Sequence, residues 1–428
     1  MPRSPVSNPK RARKPSGRES WYPYYAGFSE SFASTLLCNS GLEQGAVVLD
    51  PWNGSGTTTT AAAMSGFRAI GFDINPVSIT LSKGRLFSQG DAPSVEPLTV
   101  AILDSAMVLA PTCPQADPLG TWFSSATARI LRGIERALRI LLVDAGQNPF
   151  LPVNVEDMSN LAAFFYIALF RTVRAHLGGF KLSNPTWIKK HNGSDQIAVS
   201  PDRIFRSFHD QVRVMIECLK GEAEATFISS QEDIRVASSE KLPLDALSVD
   251  LVLSSPPYCT RIDYGVATLP ELATLGIDVG PGLRDLRDQL IGTPTINGRS
   301  GDWRDCWGKT CLSLLQQIKD HSSRASESYY LKTHVQYFDA IAKSLAEISR
   351  CLRRGAACFL VVQDSFYKDI YNDLPMIFQE MAVNQGLTPR HRKDFKVNRT
   401  LAGIHAHSKR YRTTFAATES VLCFVNEA

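Results

Sequence analysis

Between residues 41 and 75 the apolar positions change their period twice. A short continuous run, Val47-Val48-Leu49, ends in Asp50; the stretch PWNGSG follows; TTTTAAAMSGF then reads as helix and AIGFDI as a second buried strand. Short continuous apolar runs separated by a helix are the signature of parallel strands buried on both faces. One βαβ unit with a right-handed crossover is therefore predicted here. From about Asp104 to Glu224 apolar residues fall at helical spacing instead, in ATARILRGIERALRILL, NLAAFFYIALFRTVRAHL and FRSFHDQVRVMIECLK, interrupted by the loop SNPTWIKKHNGS around Asn184 to Trp187. Strand character returns at Val249 to Leu253 and leads into SSPPY. A polar, Gly- and Arg-rich segment from about Gly280 to Ser328 precedes a helix (THVQYFDAIAKSLAEISRCLRRG), a buried strand (AACFLVVQDS), another helix (LPMIFQEMAVNQG), a basic loop and a last apolar run, SVLCFV. The two strand-rich parts flank the helical one and are expected to share one sheet. The division is a disordered basic tail over 1–20, a first core part over 21–102, a helical insertion over 103–230 and a second core part over 231–428.

Composition narrows this picture. With 428 residues, 44% of them hydrophobic, the chain can bury a large core. The longest apolar stretch, Leu161 to Phe170, is half of the roughly 20 residues that a membrane-spanning helix needs, and no secretory signal is visible. Nine cysteines carry no CxxC pair, and the nearest spacing, Cys306 to Cys311, has no companion pair or His cluster. No metal site is expected, and free thiols suit a reducing cytoplasm. The net charge is only +4, but Arg3, Lys10, Arg11, Arg13, Lys14 and Arg18 face a single acid, Glu19, in the first twenty residues. Such a tail reads as a solubilising terminus or as a phosphate-attracting arm.

The glycine loop VVLDPWNGSGTTTT is discriminated by its details. A phosphate-cradling loop needs a lysine after the last glycine, and none follows Gly56; a dinucleotide fingerprint needs a third glycine, and Thr59 stands there. The loop has an acid, Asp50, at the strand end, followed by Pro51 and Trp52, and hydroxyls, Ser55, Thr57 and Thr58, around the helix start. The acid suits an ammonium, and helix-start donors suit a carboxylate; Gly54 and Gly56 let the backbone approach. Asp73, followed by Ile74, ends the second strand where a carboxylate can take two ribose hydroxyls. An amino acid joined to a ribose describes S-adenosyl-L-methionine. The plainer reading is a tight turn, with Asp73 capping the next helix.

Ser254-Ser255-Pro256-Pro257-Tyr258 follows its strand at the carboxyl end, where parallel sheets build their sites. Two prolines fix the backbone and remove two amide donors, which leaves rigid carbonyl acceptors for an amino group. Tyr258 offers a flat face for an extruded base. The plainer reading is a rigid turn with a core tyrosine. Cys259 is separated from the prolines by Tyr258, so it does not form the PC dipeptide of carbon-directed methylation and reads as a packed residue.

DPWNGSGTT together with SSPPY resembles the amino-group DNA methyltransferases, which methylate N4 of cytosine or N6 of adenine, and the serine form is most like the cytosine-N4 members. WYPYYAGFSESFASTLL at 21–37 is similar to the family segment that wraps the methionine end of the cofactor. YCTRIDYGVATLPELATLG, LRDQLIGT and EISRCLRRGAACFLVVQDS look like later segments. The resemblance implies a Rossmann-like class I methyltransferase fold, α/β with a mostly parallel sheet and helices on both faces, plus the helical insertion. It implies catalytic roles for Ser255, Pro256, Pro257 and Tyr258, and cofactor contacts from Tyr24, Phe28, Asp50, Pro51, Trp52, Gly54, Ser55, Gly56, Thr57, Thr58, Asp73 and Ile74. Where relatives often carry an acid before LPL, this chain reads ASSEKLPL, so Ser238 takes that position, with Asp233 and Glu240 as neighbours.

The expected partner is DNA, double-stranded with a flipped base, in restriction-modification or a related defence; a cognate restriction endonuclease is a further candidate partner, for which the chain itself offers no motif. Target reading is expected from the insertion (Trp187, Lys189, Lys190, His191), from Arg284, Arg287, Arg299 and Arg304, or from the basic loop Arg390 to Arg412. Adenine-N6 methylation, methylation of an RNA base amine, and a DNA-binding protein with a decayed transferase core are the alternatives.

Overall fold

The computed structural model describes residues 6–10, 15–24, 27–112, 117–144, 146, 148, 151–178, 196–220, 222, 232–259, 262–293, 302–323, 329–397 and 417–427. Five strands, β1 (Val47–Asp50), β2 (Arg68–Asp73), β3 (Glu232–Val236), β4 (Val249–Ser254) and β5 (Leu352–Gln363), run parallel. A two-stranded hairpin, β6 (Ser365–Tyr367) and β7 (Ile370–Asn372), stands apart from the sheet. β8 (Leu387–Val397) and β9 (Ala417–Asn426) complete a seven-stranded sheet in the order β3-β2-β1-β4-β5-β9-β8, with β9 antiparallel to both neighbours. The order reverses between β1 and β4. Chain leaves these two strands in opposite directions, which opens a crevice at their carboxyl ends.

Helices α1 (Glu30–Cys38) and α2 (Thr57–Met64) cover one face, where Phe32, Leu36 and Ala61 meet Val48, Leu251 and Phe359. Helix α3 (Pro76–Arg85) lies beside α2 and carries the insertion: α4 (Ala92–Leu109), α5 (Ser125–Leu142), α6 (Asn160–His176) and α7 (Pro201–Glu217) share one apolar cluster with it. Residues Ala162 to Phe170 of α6 are all buried, so the longest apolar run in the chain is a core helix. Gln89–Leu109, by contrast, is long and apolar enough to cross a membrane by length and composition alone, and it is mostly unburied. Three short helices, α8 (Tyr264–Ala267), α9 (Leu269–Thr274) and α10 (Pro281–Gln289), follow the SSPPY loop after β4. Helices α11 (Lys309–Asp320), α12 (Leu331–Cys351) and α13 (Leu374–Asn384) cover the other face, with Phe338, Ile341 and Phe378 against Leu49, Val252 and Leu360.

Several elements differ from the sequence reading. Helix α4 begins at Ala92, so the helical layer starts before 103. The polar stretch from 280 to 328 contains α10 and α11, whose apolar residues (Leu283 and Leu286; Cys311, Leu314, Leu315 and Ile318) are buried. The start of the basic loop is strand β8, paired along its length with β9. The described part of the first twenty residues is packed rather than disordered: Gly17–Ser20 forms a 3-10 turn, and Arg18 is buried, bonded to Glu222 at 2.8 Å and to the carbonyl of Arg85 at 2.8 Å. A charge run looks solvated to a composition argument, but distant carbonyls and a carboxylate hold this guanidinium inside the fold. Of the proposed DNA-reading residues, Trp187, Lys189, Lys190, His191, Arg299 and the segment from 398 to 412 lie outside the described residues. Arg284 is exposed, whereas Arg287 pairs with Asp263 at 2.6 Å and Arg304 with Asp339 at 3.1 Å.

Candidate active site

The crevice holds a cavity of about 790 Å3, open mouth included, and it is lined from both halves of the chain. Of the residues singled out from the sequence, Tyr24, Phe28, Asp50, Pro51, Trp52, Gly54, Ser55, Thr57, Asp73 and Ile74 line it, as do Ser255 and Pro257 of the SPPY loop. Two motifs about 200 residues apart thus share one wall.

Backbone conformation explains the glycine loop. Gly54 and Gly56 have φ of +51° and +81°, the left-handed region that side chains resist. Gly56 caps α2 and faces away from the cavity: a Cβ there would come 2.5 Å from the Ser82 Cβ, so this glycine lets the loop pack on α3. A Cβ on Gly54 would lie 2.9 Å from the Tyr24 hydroxyl, which places that ring over the loop. Thr58 also lies off the cavity. It is buried and donates to the Leu253 carbonyl at 3.0 Å, which fastens α2 to β4.

Asp50 and Asp73 end adjacent strands. Asp50 accepts from the Trp52 N–H at 3.1 Å and from the Ser254 hydroxyl. Asp73 accepts from the Gly54 N–H at 2.9 Å and the Asn75 N–H at 2.8 Å, so it clasps the loop rather than capping α3; the cap is Asn75, which accepts from the Val77 N–H at 3.0 Å. Burial pushes both carboxyls up to about 6, against hydrogen bonds that pull them down. Their environment suits a ligand that brings positive charge to one and hydroxyls to the other. Two buried donors on the same loop, Trp52 Nε1 and Asn53 Nδ2, have no partner among the described residues.

The SPPY loop is held from three sides. Ser255 Oγ donates to the Val361 carbonyl at 3.1 Å, the Tyr337 hydroxyl to the Pro257 carbonyl at 2.9 Å, and the Tyr258 N–H to the Tyr264 hydroxyl at 3.4 Å. The Pro257 carbonyl is thereby occupied, and no hydrogen bond is made to that of Pro256 among the described residues. Pro256 is buried; Tyr258 is partly exposed and outside the cavity lining. Cys259 is buried in the core under α11 and α12.

Ser238 is not in the cavity wall. Its hydroxyl accepts from the Glu240 N–H at 3.2 Å in a turn, while Ala237 and Ser239 on either side line the cavity. Asn53, Asn75, Ser78, Tyr264, Leu290 and Ile291 are lining residues that the sequence reading did not single out. A signal existed for four of them, since Asn53 falls in the glycine loop itself, Tyr264 in the quoted segment YCTRIDYGVATLPELATLG, and Leu290 and Ile291 in LRDQLIGT; Asn75 and Ser78 carry none beyond proximity to the motifs.

A sheet of this order with its antiparallel β9, a glycine loop after β1 and carboxylates ending β1 and β2 have the form of a Rossmann-like class I methyltransferase fold. Residues 6–84 match a family described as DNA methylase. The type II methyltransferase M.BsoBI of Geobacillus stearothermophilus is 24% identical over 349 residues, 73% of this chain and 60% of that protein. The type II methyltransferase M.AvaI of Nostoc sp. is 28% identical over 151 residues, 32% of this chain and 30% of that protein. The chain is thus similar to the N6/N4 amino-group DNA methylases, with the family match confined to residues 6–84. It spans 60% of the length of M.BsoBI and a smaller share of M.AvaI. Among solved structures, a geranyl diphosphate C-methyltransferase from Streptomyces coelicolor A3(2) aligns over 51% of this chain and 60% of that one, at 8% identity and a TM-score of 0.21.

Proposed function

We propose that the chain uses S-adenosyl-L-methionine to methylate the exocyclic N4 amine of a cytosine flipped out of duplex DNA, in a restriction-modification setting. The observation that carries this reading is the shared cavity: the glycine loop and the SPPY loop line one space, with Ser254 bonded to Asp50 at its floor. The residues present fit the cofactor. Asp50 would hold its ammonium, Ser55, Thr57 and the start of α2 its carboxylate, Asp73 its ribose, and the apolar Ile74, Ala237, Leu290 and Ile291 its base. Asn53 Nδ2 is a buried donor in want of an acceptor.

The cofactor, when bound, supplies an already activated methyl group, so the protein's task is mainly alignment. An aromatic amine is a weak nucleophile because its lone pair is delocalised into the ring. Ser255 and the Pro256 carbonyl would each take one amine hydrogen, which favours a tetrahedral nitrogen and turns its lone pair outward. Preorganised acceptors of this kind need no reorganisation during transfer. Tyr258 would stack on the base and hold it edge-on to the cavity. The preference for cytosine rests on Ser255, the residue in which the motif is most like the cytosine-N4 members.

The deciding experiment is incubation with S-adenosyl-L-methionine and mixed DNA or RNA, followed by mass identification of methylated nucleosides. N4-methylcytosine in DNA is expected. N6-methyladenine would move the assignment to the other branch of the family, a methylated RNA base would change the substrate, and no methylated product at all would sink the proposal.

A further inference from the structure

Arg85 is the last residue of α3, which packs behind the glycine loop. A Cβ on Gly56 would come 2.5 Å from the Ser82 Cβ and 2.8 Å from its Cα, so a bare glycine lets α3 close on the start of α2. Ser82 and Arg85, three residues apart, are neighbours on one face of that helix. The close packing at Gly56 therefore brings the Arg85 side chain to Thr57.

Arg85 Nη1 donates to Thr57 Oγ1 at 3.4 Å and Nη2 to the Glu19 carbonyl at 3.4 Å, while the Arg85 carbonyl accepts from Arg18 at 2.8 Å. Arg85 is 2% exposed and stands outside the cavity wall; Thr57, half-buried, is part of it. The direction of the bond between them matters. A guanidinium has donors only, so Thr57 Oγ1 is the acceptor and its own hydroxyl hydrogen must find another partner. Among the described residues no acceptor takes that hydrogen. It is left for whatever occupies the cavity. A free hydroxyl can show a ligand either its oxygen or its hydrogen, whereas one that already accepts from a cation shows its hydrogen and is polarised towards an anion. No lysine or arginine lines the cavity among the described residues, so Arg85 brings positive charge to that wall from behind.

We propose that Arg85 is a positioning residue for the carboxylate of the cofactor: by holding the oxygen of Thr57, it turns the hydroxyl hydrogen into the cavity. The inference rests on the reading of this cavity as an S-adenosyl-L-methionine site with Thr57 at the carboxylate.

The test is calorimetry with S-adenosyl-L-homocysteine and with its decarboxylated analogue, which keeps the amine, sugar and base. The proteins are wild type, Arg85→Met, Arg85→Lys, Thr57→Val and the Arg85→Met/Thr57→Val double variant. Arg85→Met is expected to weaken S-adenosyl-L-homocysteine about tenfold, the scale of one charge-assisted hydrogen bond, and to change the decarboxylated analogue by less than about twofold. Arg85→Lys keeps a donor and the charge and should recover most of the affinity. Thr57→Val, which leaves Arg85 in place, should show the same selective loss even if Arg85→Met does not fold, and the double variant should bind no more weakly than the weaker single one. Equal losses on both ligands would mean a general structural role and overturn the assignment, as would wild-type affinity in Thr57→Val or multiplied losses in the double variant. Failure of the wild-type protein to bind either ligand would instead remove the cofactor reading, and this inference with it.

Discussion

Ser254, the last residue of β4, donates its hydroxyl to the carboxylate of Asp50, the last residue of β1, and joins motifs 204 positions apart in the sequence. The pair sits where strand order reverses, so the glycine loop and the SPPY loop leave the sheet from neighbouring points. The bond also adjusts charge: it pulls the Asp50 carboxyl down while burial pushes it up more strongly, to about 6.

A raised folded-state value means that the protonated carboxyl is favoured by folding. Asp50 and Asp73 therefore add stability below about pH 4 that is lost as pH rises through about 6. At about 1.4 kcal/mol per pKa unit, each ionised group costs the empty protein roughly 3 kcal/mol at pH 7. Thermal melts without ligand should thus fall mainly between about pH 4 and pH 6, the ordinary and the raised values, and level off above, whereas cofactor affinity should weaken as pH drops below about 6.

Asp50→Asn is expected to leave the empty protein at least as stable as wild type at neutral pH and to weaken the cofactor about tenfold or more. Melting and calorimetry on the same sample check this. A destabilised variant with normal affinity would show that Asp50 serves the fold and not the ligand.

The two loop glycines should separate folding from binding. At Gly56 a Cβ meets the backbone of Ser82 at 2.8 Å with φ at +81°, so Gly56→Ala should cost about 2–4 kcal/mol in denaturant titration. At Gly54 the obstacle is the movable tip of Tyr24, so Gly54→Ala should cost about 1–2 kcal/mol and act mainly by displacing that ring, which calorimetry would read as weaker cofactor binding.

Ser255→Ala and Tyr258→Ala should slow methylation by about tenfold to a thousandfold while leaving cofactor Kd nearly intact. Turnover is followed by transfer of labelled methyl to DNA. Full turnover in either variant would remove that residue from the mechanism.

Glu135 on α5 is fully buried and accepts from Arg132 at 3.0 Å, Arg139 at 2.7 Å and the Tyr166 hydroxyl at 3.0 Å. Glu135→Ala takes the carboxylate partner from the buried Arg139 and leaves Arg132 with Asp117 as its carboxylate, and should lower unfolding free energy by about 3–5 kcal/mol. Because none of these groups lines the cavity, cofactor affinity of the folded variant should be unchanged in calorimetry.

Local chemistry made the two motifs legible. Left-handed glycines, a proline pair and apolar runs of strand length impose backbone shapes within a few residues, so β1, α2, β2 and β4 could be read from Val47 to Asp73 and from Val249 to Tyr258. The same reading missed what depends on distant partners. Strand β8 carries charged residues and looked like a loop, because its hydrogen-bonding edge is supplied by β9. Arg18 and Lys10 looked solvated, because Glu222 and Glu419 lie more than 200 residues away.

Residue types and short-range order determined the βαβ unit, the helical insertion and the two loops that identify the chemistry. Only the tertiary structure decided that Asp50 meets Ser254, that Ala237 and Ser239 rather than Ser238 face the cavity, and that Leu290 and Ile291 form part of its wall. The reason is physical: a turn's conformation is set by the sterics of its own residues, whereas a cavity is whatever space remains once strands far apart in sequence have paired and their helices have packed.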